Sequence, residues 1–159
     1  MEPPSYRNVV ILNSSGENID SRLLERAVRE TLQRHEAPAG DVSVLLTSDE
    51  VIRDLNSRFR GIDEATDVLT FPTGSELLGS LGEIAVATDY AARQAALRGW
   101  APEEEIAHLV IHGSLHLAGF DDVEEVLRAE MLREQNLIAA SLGLPQDPEW
   151  SSLLHEVTA

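Results

Sequence analysis

The chain is 159 residues long, which suits one compact domain able to bury roughly two-thirds of its unfolded surface without help from a disulfide or metal. It has no cysteine, which excludes disulfides and thiolate metal sites and leaves imidazole and carboxylate as the only side chains that could hold an ion. Twenty-eight acidic residues stand against 12 basic ones, all arginine, for a formal charge of -16; this argues against a general nucleic-acid binder, which needs clustered cations to release counterions from a polyanion.

The amino terminus, Met1 to Tyr6, has no basic region followed by an apolar stretch, and no window reaches the length of a membrane span. The expectation is a soluble, cytoplasmic protein without membrane association. Val9 to Leu12 is a short apolar run closed by Asn-Ser-Ser-Gly, and predicts a strand and turn. Asp20 can cap a helix in which Leu23, Leu24, Ala27, Val28 and Leu32 recur at helical spacing, ending before Ala37-Pro38-Ala39-Gly40. Val42, Val44 and Leu46 alternate as in a half-buried strand. Ser48 caps a second helix with Val51, Ile52, Leu55 and Phe59 on its apolar side.

Asp67 to Phe71 predicts a strand stopped by Pro72, and Gly74 to Gly82 an irregular or hairpin connection into a strand over Gly82 to Ala87. Helices follow from Asp89 to Leu97 and from Pro102 to Ala118, with Gly119 as the stop. A last helix runs from Val123 to Leu142, closed by Gly143 and Pro145. The order is strand, helix, strand, helix, two strands, then helices. It predicts an α+β domain with one small mixed four-stranded sheet against about five helices. Residues 1–159 read as one domain, with 1–7 and 147–159 as tails; Trp150, Leu153 and Leu154 are apolar enough for the second tail to pack back.

The chemistry concentrates in the helix ending at Gly119. His112 and His116 are four apart, so both imidazoles leave one face about a turn apart and can converge on one ion. Asp121 and Asp122, just past the helix, are placed to close the site with a third ligand and leave a fourth position for water, as in catalytic zinc centres. Two plainer readings stand beside this one. The histidine pair could be interior residues bonded to backbone, and Asp122 with Glu125 forms a capping box for the last helix. His108 shares the face but lies about 12 Å along the axis from His116. It is expected to be structural, or to support a ligand rather than be one.

The run His-Gly-Ser-Leu-His-Leu-Ala-Gly-Phe-Asp-Asp, His112 to Asp122, resembles the signature of the YbeY family, His-Gly-x-Leu-His-Leu-x-Gly-Tyr-Asp-His, whose three histidines hold a metal. Here Asp122 replaces the last histidine and Phe120 the tyrosine. Upstream, Leu55-Asn56 to Arg60, then Asp63, then Thr66-Asp67-Val68-Leu69-Thr70-Phe71-Pro72 is similar to the segment joining the family's arginine to a core strand, and Gly82-Glu83-Ile84 fits its next strand. The resemblance spans roughly Asp41 to Leu142.

The resemblance implies a metzincin-like metal helix and one divalent ion, zinc in the parent pattern, on His112, His116 and Asp122. The motif differs from His-Glu-x-x-His zincins in carrying Gly113 where they carry the glutamate base. A carboxylate third ligand lowers the net charge of the site by one and favours harder ions such as manganese. The implied activity is hydrolysis of single-stranded RNA in ribosomal RNA processing, including 3′-end maturation of the small-subunit RNA and ribosome quality control. Arg60 would serve as the catalytic cation on the phosphate. Arg53, Asn56 and Arg60 fall at i, i+3 and i+7, a stripe that could face substrate RNA. A ribosomal particle or ribosomal protein would supply the affinity that so acidic a chain lacks. Two rivals remain: a metal-dependent peptidase, and a non-catalytic ribosome-assembly protein.

Overall fold

A computed structural model describes residues 8–38, 40–75 and 80–151. The elements are β1 (Val9–Asn13), α1 (Ser21–Arg34), β2 (Asp41–Thr47), α2 (Asp49–Arg60), β3 (Val68–Ser75), β4 (Ser80–Ala87), α3 (Thr88–Arg98), α4 (Pro102–Leu117) and α5 (Glu125–Ser141). This is the predicted order, and the α+β class and mixed four-stranded sheet are as expected. The strands lie in the order β1-β2-β4-β3. β1 and β4 run parallel to β2, while β3 pairs antiparallel with β4 as the edge strand.

Strand alternation divides the apolar residues between two cores. Val42, Val44, Leu46, Ile84 and Val86 join α1, α4 and α5 in the larger core, which also takes in Trp150. Leu69, Ala85 and Ala87 face the other way, onto Ile52 of α2. The second core is small because one amphipathic helix covers that face. Both predicted caps are present: Asp20 accepts from the amides of Arg22 and Leu23, and Ser48 from that of Val51.

Three details depart from the sequence reading. β3 continues through Pro72 to Ser75, because on an edge strand a missing N–H interrupts no ladder. Phe59 does not join the core under α2 but is 64 % exposed, meeting Phe71 edge-on with centroids 5.4 Å apart. α5 begins at Glu125, not Val123, and its N-cap residue Glu124 makes no side-chain cap.

The helix α4 is the centre of the molecule. Its buried residues run almost unbroken from Glu105 to Leu115, as expected of a helix enclosed by α1, α3, α5 and the sheet. Two glycines let it approach. A Cβ on Gly113 would lie 2.9 Å from Ile84 Cγ2 and 3.0 Å from Thr70 Oγ1, and one on Gly82 would lie 2.4 Å from Leu117 Cδ2. Both glycines are needed for contact between α4 and the sheet, not for backbone freedom.

Residues 147–151 are no loose tail. Trp150 is 4 % exposed, and its indole N–H donates to Glu105 Oε2 at 3.1 Å. Arg98 ties the same segment down through Asp147 (3.1 Å) and the Ser151 carbonyl (2.9 Å), while also bonding Glu105 (2.9 Å). Leu153 and Leu154, and residues 1–7, lie outside the described residues.

Candidate metal centre

α4 ends in the hydrogen-bond pattern of a Schellman motif: the Phe120 amide donates to the Leu115 carbonyl (2.9 Å) and that of Gly119 to the His116 carbonyl (3.0 Å). Gly119 takes φ +105°, which a residue with a side chain rarely adopts. The turn carries the chain back over the end of α4. There Asp121 Oδ1 accepts from the Val123 amide at 3.0 Å, so the local backbone is served by Asp121 and not by its neighbour. Asp122 is left to turn inward. The capping-box reading of Asp122 and Glu125 therefore fails.

His112, His116 and Asp122 each offer a ligand atom, and these atoms lie within 4.8 Å of one another. Asp122 Oδ2 is 3.4 Å from His112 Nε2 and 3.5 Å from His116 Nε2. These separations exceed a charge-assisted hydrogen bond, about 2.8 Å. They match the roughly 3.4 Å expected between two atoms each about 2.1 Å from an ion in a tetrahedral shell. His116 Nδ1 lies 3.1 Å from the Phe120 carbonyl oxygen and donates to it, which leaves Nε2 of the neutral ring with a free lone pair. His112 Nδ1 lies 3.2 Å from Gln135 Oε1. The donor set, two imidazoles and a carboxylate, is one that zinc accepts in working hydrolases.

The charges fit the same picture. The His112 and His116 imidazoles beside it outweigh burial and hold the Asp122 carboxyl far below the usual carboxylate range, so it is ionised. Burial opposes charging of His116, but the bond to Asp122, that residue's charge and the Phe120 carbonyl together raise its pKa. A cation displacing protons from this pair would meet a preformed anionic partner.

The three residues line a cleft of roughly 270 Å³ with Arg60, Val68, Leu69, Thr70 and Pro72. Arg60, the last residue of α2, is followed by Gly61 at φ +73° as the left-handed cap. It has no ion-pair partner among the described residues. The predicted stripe with Arg53 and Asn56 does not form. Asn56 is fully buried and donates from Nδ2 to the Glu64 carbonyl at 2.9 Å, pinning the loop before β3. Arg53 is occupied by Asp63 at 2.8 Å.

His108 is away from the cluster, as its distance along the helix requires. It is fully buried, stacked on Trp100 with centroids 4.7 Å apart, with Nε2 2.8 Å from the Pro145 carbonyl. Sequence reasoning missed Gln135, which touches both His108 and His112. The signal was present: a lone polar residue on the α5 stripe of Met131, Ile138 and Ala139.

A four-stranded α+β domain whose central helix and following turn bring two histidines and a carboxylate into one cleft carries a group that could hold a metal ion. The comparisons with known proteins make the assignment specific. The family model described as "Endoribonuclease YbeY" matches residues 10–143, so the chain belongs to the YbeY family, a family of hydrolytic enzymes. A protein named Endoribonuclease YbeY from Shouchella clausii is 38 % identical over 154 residues, covering 85 % of this chain and 95 % of its own. One of the same name from Chloroflexus aggregans is 36 % identical over 139 residues, covering 80 % and 91 %. The solution structure of a Thermotoga maritima protein is 33 % identical, with a TM-score of 0.60 over 86 % of this chain and 89 % of that one.

Proposed function

We propose that the chain is a metal-dependent endoribonuclease specific for single-stranded RNA, acting in the cytoplasm in ribosomal RNA maturation and ribosome quality control. The observation that carries this reading is the convergence of His112, His116 and Asp122 in one cleft with Arg60, which has no ion-pair partner among the described residues. Family membership supports RNA as the substrate.

In this reading His112, His116 and Asp122 hold one divalent ion, zinc or manganese. The ion supplies Lewis acidity and acidifies water. Arg60 supplies the fixed cation for the phosphate, with a planar fork able to donate two parallel hydrogen bonds to phosphoryl oxygens. Val68, Thr70 and Pro72 line the same cleft, beside which the unpaired strand would lie. The anionic Asp122 keeps the site one charge less positive than a three-histidine shell. That weakens the attraction for RNA and favours harder ions. With a chain charge of -16, affinity for RNA would come from a ribosomal particle, through a ribosomal protein or the particle's own ions. Among the described residues no helix is long and apolar enough to cross a membrane.

The test is cleavage of matched single- and double-stranded RNA oligonucleotides by untagged protein, with casein as a control. Cleavage of the single strand alone, abolished by chelator, restored by zinc or manganese and absent in His116→Ala, is the expected result. Cleavage indifferent to chelator and to His116→Ala would overturn metal dependence, and cleavage of casein but not RNA would make the protein a peptidase.

A further inference from the structure

Behind the candidate ligands lies a hydrogen-bond chain that crosses the protein interior: the Pro145 carbonyl, His108, Gln135, then His112. Its links are 2.8 Å from Pro145 O to His108 Nε2, 2.9 Å from His108 Nδ1 to Gln135 Nε2, and 3.2 Å from Gln135 Oε1 to His112 Nδ1. His108 and Gln135 are both fully buried.

The direction of every bond follows from one end. A carbonyl only accepts, so His108 Nε2 carries its proton. In a neutral ring Nδ1 is then an acceptor, and it receives a hydrogen from the Gln135 amide nitrogen. This turns Gln135 Oε1 toward His112, whose Nδ1 must donate. The remaining nitrogen, Nε2, is left with a free lone pair on the side facing Asp122 Oδ2 at 3.4 Å. The reverse orientation of Gln135 would need two protons on His108. That ring is enclosed between the Trp100 and Trp150 indoles, with centroids at 4.7 and 6.1 Å, where burial opposes a second proton more strongly than the charges of Asp147 and Glu104 favour it.

The geometry points to Gln135 as a positioning residue that fixes His112 in its Nδ1-protonated tautomer, with His108 and the Pro145 carbonyl setting the orientation of the Gln135 amide. This inference rests on the reading of His112 as a metal ligand. It adds that the competence of His112 is written outside the cleft, in the segment that follows α5. His116 gets the same tautomer from the local Phe120 carbonyl, so of the two imidazoles only His112 depends on a distant helix. Supporting bonds of this kind are worth about 10–100-fold in metal affinity.

The experiment uses the full, untagged, metal-free chain. Nitrogen-15 histidine spectra above the imidazole titration range report the tautomer, and competition with a chromophoric chelator reports zinc affinity. In the native protein His112 is expected as the Nδ1–H form. Gln135→Leu is expected to mix the two tautomers at His112, leave His116 unchanged and weaken zinc about 10–100-fold. Gln135→Glu keeps an acceptor for His112 and should preserve its tautomer. An Nε2–H form of His112 in the native metal-free protein would overturn the proposal without any variant, so it stays testable even if Gln135→Leu does not fold. Undiminished zinc binding by a folded Gln135→Leu would overturn it too. A native protein with the Nδ1–H tautomer that takes up no zinc would instead overturn the metal reading.

Discussion

Asp122 faces His112 through Oδ2 at 3.4 Å, and the same oxygen lies 3.5 Å from His116. One atom thus serves both as the candidate third ligand and as the charge seen by the imidazoles. Replacing it by a neutral isostere should separate these roles. In metal-free Asp122→Asn, the His116 pKa is expected to fall below that of the native protein, because burial then acts with less opposition. Zinc affinity should drop at least tenfold, while Asp122→His should retain zinc. Proton NMR titration and chelator competition measure the two effects.

Arg60 and Arg53 are both on α2 and differ in partnership: Asp63 occupies Arg53, and Arg60 lines the cleft. Arg60→Ala is expected to lower single-strand RNA cleavage by about 10²-fold with unchanged folding and metal content, and Arg60→Lys to recover only part of it. Arg53→Ala should leave cleavage within a few-fold of native, since its exposed ion pair contributes little. Steady-state cleavage rates of the three variants decide the point.

Gly113→Ala places a methyl 2.9 Å from Ile84 Cγ2 and 3.0 Å from Thr70 Oγ1. The helix must move off the sheet to admit it, at a cost of about 1–3 kcal/mol. Urea denaturation of the metal-free protein should show that loss. Zinc affinity should fall with it, since His112 moves with its neighbour.

Two buried groups bend the pH dependence of stability in opposite directions. Burial lowers the pKa of His108 to about 4, so from there up to about 6.5 only the unfolded chain holds that proton, and stability rises with pH. Burial raises the pKa of Glu105 to about 7 from its ordinary 4.5, although Arg98 and Trp150 pull the other way. Over that interval the folded chain alone holds the proton, and stability falls as pH rises. Each is worth about 3 kcal/mol across its window and they largely cancel. Glu105→Gln removes the second slope. The variant is expected to gain about 3 kcal/mol of stability between pH 4.5 and 6.5 relative to its own value at the lower end, measured by urea midpoints for metal-free protein.

The element order, both helix caps and the inward pair on α4 were legible because periodicity and capping are local. Asp122 was left open between ligand and cap, and only the cap reading falls away, because α5 starts from Glu124 and Asp121 serves the local backbone. Helical spacing placed Asn56 on a polar stripe, but the loop ending at Thr66 folds over it. Phe59 failed in the opposite sense: its spacing was apolar, yet α2 is too short to cover its own end. Gln135 and Glu105 could not be assigned roles, because His112 lies 23 residues from the one and Trp150 45 residues from the other. The family resemblance, carried by His112 to Asp122 and the segment around Arg60, agreed with the matched model over residues 10–143.

The contact between Gly82 and Leu117, with its counterpart at Gly113 and Ile84, has a meaning for redesign. The clearance between the sheet and α4 is set by two absent methyl groups, one on each surface. Enlarging the loops around the cleft would widen its mouth and leave this clearance untouched. An engineer seeking to admit a bulkier substrate would have to trim side chains at Thr70 or Pro72 on the strand or at Leu117 on the helix, because neither glycine has an atom left to remove.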